Sequence, residues 1–530
     1  MQTSNTAEMV TNSRAEYERF QEQAQVITSL TLQNEWLLEQ LKLSKKKLFG
    51  RSSEQAEQMV LEQLSFTYNE AEAYASGTKA AAEKPVAVKA HERKRQSGNV
   101  LDVVPDGTPT EVVEHRLSEN ELTCSARGNK LVEIGKEIRR TLQMEPAEFW
   151  IREDVYYTYA CKNCEQETGE ANIVKAAKEP ALLSGSFASA EAVAYLAAQK
   201  FVMHSPLYRL EQEFNRQGLK LSRQTMANWL LKASEKWLRP VYDVLHEQFC
   251  KEPVLHADET TLQVLKESGR MATSKPYMWL YRTSGCAKQA IVLYEYQPTR
   301  KAEHAEAFLK GFSGWLHADG YQGYHRLPGN IRVVGCWAHA RRKFDEAMSI
   351  LPQEKRKDAP AAVGEWYCSQ LFKLEQALAE LTPEERHEKR LEQEKPVLDA
   401  LLSWANEMQA KTAPKSALGK AIHYLQEQWP YLTRYLEDGR LELSNNRAER
   451  SMKPFVMGRK NWLFANTPGG AQASSVIYSL IETAKENGLD PYRYLLWLLQ
   501  NAPQLSETNK AWAEKLLPAN APEECYIPQK

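Results

Sequence analysis

The sequence predicts an α/β core with helical elements around it, and three observations carry that expectation. Three runs, "VLHADETTLQVL", "YMWLYRT" and "AIVLYEY", are β-branched and aromatic and short enough to be strands of one sheet. They are followed by a helical run, "AEHAEAFLKGF", and then by "GWLHADGYQGY" and "IRVVGCWAH", an order of elements proper to α/β folds. Beyond them lies a long charged helical stretch, about 345–440.

Length and composition bound the rest. At 530 residues the chain exceeds what one hydrophobic core supports, so several domains are expected. The net charge of -1 hides basic clusters at Lys45 to Arg51, Arg93 to Arg95 and Arg341 to Lys343, so a polyanion would meet patches rather than the whole surface. No apolar leader and no run of about 18 apolar residues occurs, which predicts a soluble, cytoplasmic protein with no membrane partner. Eight scattered cysteines do not make a disulfide scaffold.

In chain order, residues 1–69 read as an N-terminal helix. Phe20, Ile27, Leu30, Leu37, Leu41 and Leu48 recur at heptad spacing with Asn34 at a core position, a pattern for a short parallel coiled coil that would make a homo-oligomer, with a lone amphipathic helix packed on its own protein as the alternative. Residues 70–100 hold too few large apolar groups to order themselves and read as a linker. Residues 101–175 read as short β segments around "ELTCSARGNK" and "YYTYACKNCE". Cys124, Cys161 and Cys164 are candidate zinc ligands, but tetrahedral zinc wants four, and Arg127 stands where a second knuckle cysteine would be. His115 is a candidate fourth ligand, and a ribbon held by packing alone is the alternative.

Residues 176–250 turn helical. "HSPLYRLEQEFNRQG" opens with Ser205 as N-cap and Pro206 in the first turn and closes at Gly218, and Ser222 then caps "RQTMANWLLKASEKWL". Two helices joined by a short Gly-containing turn match the helix-turn-helix pattern, in which Arg223 and Gln224 would face base edges while Met226, Trp229 and Leu230 pack inward. A generic helical hairpin fits the same signal.

The tetrapeptide "LHAD" occurs twice, ending at Asp258 and at Asp319. Each copy runs a hydrophobic strand into an aspartate at its C-terminal end, the edge where α/β sheets gather ligands. Carboxylates on adjacent strands need a cation between them, and hard oxygen donors favour Mg2+ or Mn2+. The competing reading pairs His256 with Asp258 and His317 with Asp319 in a zinc or iron site of a small-substrate hydrolase. In "LELSNNRAERSMKPFVMGRKNWLF", Glu449 sits among Arg447, Arg450, Lys453, Arg459 and Lys460, which surface ion pairs on one helix would also explain.

Taken in order, "LFGRSSE", "PLYRLEQEFNRQGLKLSRQTMANW", "HADET", "HADGYQGY", "GCWAHARRKF", "NNRAERSMKPFVMGRKNWLF" and "SLIETAKENGLDPYRYLLWLL" resemble the transposases of the insertion-sequence-66 family over nearly the whole chain. The resemblance implies a ribonuclease-H-like catalytic domain over 251–500, with a helical insertion at about 345–440 and a tail at 501–530. It places a DDE triad on Asp258, Asp319 and Glu449, and the ribbon departs from the family pattern at Arg127. It implies two Mg2+ or Mn2+ ions clamping the oxygens of an in-line phosphoryl displacement, first hydrolysis at the element end and then strand transfer. The implied partners are double-stranded DNA of the terminal inverted repeats and of the target, together with accessory proteins of the same element. Arg341, Arg342, Lys343, Arg447, Arg450 and Lys453 then become candidate phosphate contacts. A binding protein with an inactive nuclease-like core is the remaining alternative.

Overall fold

The computed structural model describes residues 110–527, apart from 120, 125, 127, 146–147, 162–171 and 272. The expected coiled coil, the linker, their basic clusters and Cys164 lie outside the described residues. The described chain forms two compact units, Val334–Asn445 and the residues on either side of it. Among the described residues no helix is long and apolar enough to cross a membrane.

The first unit begins with a small sheet. Strand β1 (Thr110–His115) runs parallel to β3 (Glu148–Cys161), which pairs antiparallel with β2 (Val132–Glu145) and with the short β4 (Asn172–Lys175). Val155, Tyr157, Tyr159 and Cys161 on β3 pack with Cys124 and Leu131 into a small apolar core. The sequence suggested short segments here, whereas β2 and β3 are 14 residues each. The length was hidden because β2 alternates charge with scattered apolar residues, and a bulge between Glu133 and Gly135 changes its phase.

Four helices follow: α1 (Ala190–Ala197), α2 (Leu207–Arg216), α3 (Arg223–Ala233) and α4 (Arg239–Phe249). Helix α2 starts one residue later than expected, because Pro206 with ψ of 143° is extended and takes the capping position itself. Gly218 at φ of 86° closes the turn that follows. Ser222 caps α3 as its sequence requires, its side chain accepting the Thr225 N–H at 3.1 Å. Met226, Trp229 and Leu230 are buried.

The central sheet has the order β7-β6-β5-β8-β9. Strands β5 (Val254–Thr261), β6 (Tyr277–Thr283) and β7 (Val292–Gln297) form an antiparallel meander. After α5 (Ala302–Phe308), β8 (Gly314–His317) joins β5 in parallel, and β9 (Ile331–Val334) lies beyond β8. Trp279, Leu280, Tyr281, Leu293 and Tyr294 are fully buried, as expected of strands covered on both faces.

The second unit, Val334–Asn445, is helical: α6 (Trp337–Ser349), α7 (Pro360–Ala377), α8 (Pro383–Lys389), α9 (Lys395–Lys411) and α10 (Ala417–Leu432). Its centre is polar. Arg390, with no exposed surface, grips both oxygens of Glu375 and donates to the carbonyls of Tyr435, Asp438 and Leu441. Burial, with the Glu375 charge beside it, pushes the Glu394 carboxyl up to about 8.

The chain then returns to the first unit through α11 (Asn446–Trp462), α12 (Pro468–Glu486) and α13 (Pro491–Thr508). Helix α12 seals the edge strand β7. The Ser479 hydroxyl accepts the Tyr294 N–H at 2.7 Å, Thr483 both accepts from and donates to Val292 at 3.0 Å, and the Asn487 amide donates to the Ala290 carbonyl at 2.7 Å. Four helical residues rise about 6 Å, close to the ~6.6 Å of two strand residues. Every fourth residue of α12 therefore meets every second residue of the edge. Past α13 the chain folds back, where the Asp490 N–H reaches the Cys525 carbonyl at 2.8 Å.

Thr483→Val is expected to strand two backbone groups of Val292 and to destabilise the protein by about 1–3 kcal/mol in urea unfolding, with Thr483→Ser close to the parent.

Candidate functional site

Strands β5 and β8 bring two acidic residues together. Strand β5 continues paired to β6 for three residues past Asp258, which therefore lies within the strand and not at its end as the sequence suggested, while Asp319 lies two residues past β8. His256 and His317 pair across the parallel strands, fully buried, with rings stacked at 4.5 Å. Two residues on from each lie Asp258 and Asp319, both half-buried. Asp258 Oδ1 accepts the Glu259 N–H at 2.9 Å, and Asp319 Oδ1 accepts the Tyr321 N–H at 2.9 Å, which turns the chain just after β8. Glu449 arrives from the first turn of α11, and that helix packs on β5 and β6. The Asp258 carboxyl is pushed well above its usual value by burial and then by the charges of Glu259, Asp319 and Glu449, against the bond from the Glu259 N–H.

Repulsion of this kind would push α11 away, and hydrogen bonds made by three side chains, Arg282, Tyr294 and Arg459, tie it to the sheet. Buried Arg282 on β6 donates to the Arg447 carbonyl at 3.4 Å, to the Ser451 hydroxyl, and to Glu486 of α12 at 2.8 Å. The Tyr294 hydroxyl donates to the Ser451 carbonyl. Near the end of α11, Arg459 donates to the Thr261 carbonyl and to the Thr260 hydroxyl at 3.2 Å. Although burial works against it, Arg282, with Arg447 and Arg450 nearby, holds the Glu486 carboxyl below its usual value.

Two side chains at this site were missed in the sequence. Glu259, its side chain 1% exposed, accepts from Arg300 Nε at 2.7 Å and from the Tyr324 hydroxyl. The same Arg300 lies 3.8 Å from Asp319 Oδ2 and stacks on the Tyr321 ring at 3.9 Å. Strand alternation sends Glu259 to the face opposite Asp258, and Arg300 belongs to no motif. The only signal was the adjacency of Glu259 to Asp258 in "HADET".

The other candidates are dispersed. Arg450 and Lys453 are exposed on α11, and Arg447 is half-buried. Arg223 and Gln224 are exposed in the first turn of α3, where Arg223 faces Glu211 at 3.9 Å and Gln224 donates to Asn228. Arg341, Arg342 and Lys343 belong to α6 of the second unit, where Arg341 lies over the Phe372 ring and Lys343 faces Glu346 at 3.5 Å. Cys124 and Cys161 share the apolar core of the small sheet. His115 instead stacks on Tyr156 and contacts Asp154 at 3.1 Å. Two buried thiols are thus the zinc donors among the described residues there, short of the four that a closed site needs.

Asp258, Asp319 and Glu449 carry carboxylate oxygens on β5, just past β8 and on α11, donors of the type that suits a hard divalent cation.

Comparison with known families matches residues 185–473 to the model described as Transposase IS66 family and 479–518 to the IS66 C-terminal element. Residues 36–113 match the Transposase C of IS166 homeodomain, and 121–165 the zinc-finger binding domain of transposase IS66. Among relatives, the uncharacterized protein y4jD of Sinorhizobium fredii is 32% identical over 411 residues, which cover 75% of this chain and 78% of that one. The uncharacterized protein y4hP of the same organism is 29% identical, covering 86% of this chain and 84% of its own.

Two outcomes follow from the clamp and the buried carboxyl. Arg282→Met leaves several acceptors without their donor and is expected to destabilise by roughly 3 kcal/mol in chemical unfolding, with little recovery by Arg282→Lys. Because the folded Asp258 carboxyl holds its proton to higher pH than the unfolded one, its charge costs stability as pH rises above the ordinary carboxylate range. Asp258→Asn is therefore expected to raise the melting temperature of chelator-treated protein at pH 8, with the gain vanishing toward pH 4.

Proposed function

The chain belongs to the IS66 transposase family, and from that premise we propose that it cuts and joins DNA at the ends of an insertion sequence through Asp258, Asp319 and Glu449. One observation carries this reading: three carboxylates, far apart in the chain, lie within one compact unit and close enough for Asp319 and Glu449 to act on the Asp258 charge. The mixed five-stranded sheet, with Asp258 on β5 and Asp319 just past the adjacent β8, supports a ribonuclease-H-like core in which about 345–440 is a helical insertion.

In this reading Asp258, Asp319 and Glu449 hold Mg2+ or Mn2+, which when bound neutralises charge at the attacking and leaving oxygens of an in-line phosphoryl displacement. The protein's own part is positional. Arg282 and Arg459 hold α11 to the sheet so that Glu449 stays beside two other anions. The exposed Arg450 and Lys453 on the same helix bring phosphates to a site that would otherwise repel them. Hydrolysis of the element end and attack of the freed 3′-hydroxyl on target DNA then use the same carboxylates in turn. Helix α3, with Arg223 and Gln224 exposed in its first turn, is the element that reads the terminal repeats.

Alanine at Asp258, Asp319 or Glu449 is expected to reduce Mg2+-dependent cleavage of element-end DNA to background without loss of DNA binding. Glu449→Ala that still cuts near the parental rate removes the triad. Arg223→Ala is expected to weaken binding of the terminal repeat by about 1–3 kcal/mol in a titration while leaving non-specific binding largely intact.

A further inference from the structure

We propose that Arg300, held in place by Glu259, is an internal counter-cation of the acidic site that shares its charge between Glu259 and Asp319 in the metal-free protein and competes with the divalent ion for Asp319. This inference deepens the proposed function and rests on it, since it takes Asp319 as a metal ligand.

The argument starts from Glu259. Its side chain is 1% exposed, so its charge needs a partner inside the protein. Arg300 provides one, with Nε and Nη2 both on Oε1, and Tyr324 satisfies Oε2. The guanidinium is further fixed on its flat face by the Tyr321 ring at 3.9 Å, and the Tyr321 hydroxyl donates to the Arg300 carbonyl. Tyr321 is also the residue whose N–H holds Asp319 Oδ1. One tyrosine thus ties the arginine and the aspartate into a single assembly, and that assembly leaves Arg300 Nη2 3.8 Å from Asp319 Oδ2.

The geometry has an electrostatic consequence. A permanent positive charge beside one oxygen of Asp319 lowers the negative potential that a cation would meet there, while the neighbouring Tyr321 amide keeps the carboxylate oriented. Arg300 therefore lets three carboxylates gather without a metal and weakens the metal's hold on Asp319. It acts through Asp319 and is a positioning residue.

A merely structural arginine would, on removal, loosen the site and weaken metal binding, whereas a competing cation would have the opposite effect. In the full-length protein without DNA, Mn2+ titrated by calorimetry is expected to bind Arg300→Gln roughly three- to tenfold more tightly than the parent. Arg300→Lys, which keeps the charge, is expected to stay within about twofold. Unchanged or weaker Mn2+ binding by a folded Arg300→Gln protein overturns the proposal. If Glu259 left alone prevents folding, Arg300→Gln/Glu259→Gln compared with Glu259→Gln reads the same effect, and equal affinities there also overturn it. Asp258→Asn separates the two levels: Mn2+ binding unaffected by that change removes the proposed function itself, whereas loss of binding there with no tightening in Arg300→Gln removes only the role of Arg300.

Discussion

Mutual repulsion among carboxylates is the constraint around which this unit is arranged. Asp258 lies within β5 with Glu259, Asp319 and Glu449 all raising the cost of its charge. A chain that placed those groups there without restraint would relax by swinging the α11 end outward. The bonds from Arg282, Tyr294 and Arg459 run from the sheet to that helix at Arg447, Ser451 and Arg459 itself, along the stretch that carries Glu449. Fold and site are thus coupled: the sheet supplies two acids and the clamps that keep the third.

Counter-charge is distributed on two sides of the cluster. Arg300 sits beside Asp319 from the β7–α5 connection, and Arg447 and Arg450 sit near Glu486 on the α11–α12 side. The second group is partly committed to an acid already, which separates it from Lys453, exposed further along α11. A phosphate approaching α11 would meet cations of unequal availability.

Much of the architecture was legible because its signals are local. The runs of β-branched and aromatic residues mark the five strands of the central sheet, and Ser222 and Gly218 mark helix ends through chemistry that involves only neighbouring residues. The repeated "LHAD" marked two strands that the fold sets side by side, although only the second copy ends its strand and β5 runs on past Asp258. What stayed hidden depends on distant partners. The long β2–β3 hairpin has charged residues where apolar alternation would have announced it, and a bulge alters its phase. Arg282 lies within a hydrophobic run and resembles an intrusion until its acceptors on α11 and α12 are seen. Glu259 points away from Asp258 by alternation, and its relation to Asp319 exists only through Arg300, which no periodicity singles out.

The seam between α12 and β7 has one more effect. An outermost strand normally offers a row of bare amides and carbonyls to any extended peptide. Here Ser479, Thr483 and Asn487 occupy successive bonding positions of that row, so a foreign strand would have to displace a packed helix before it could pair. This border of the sheet is thereby withheld from oligomerisation by strand addition, and from the aggregation that such borders invite.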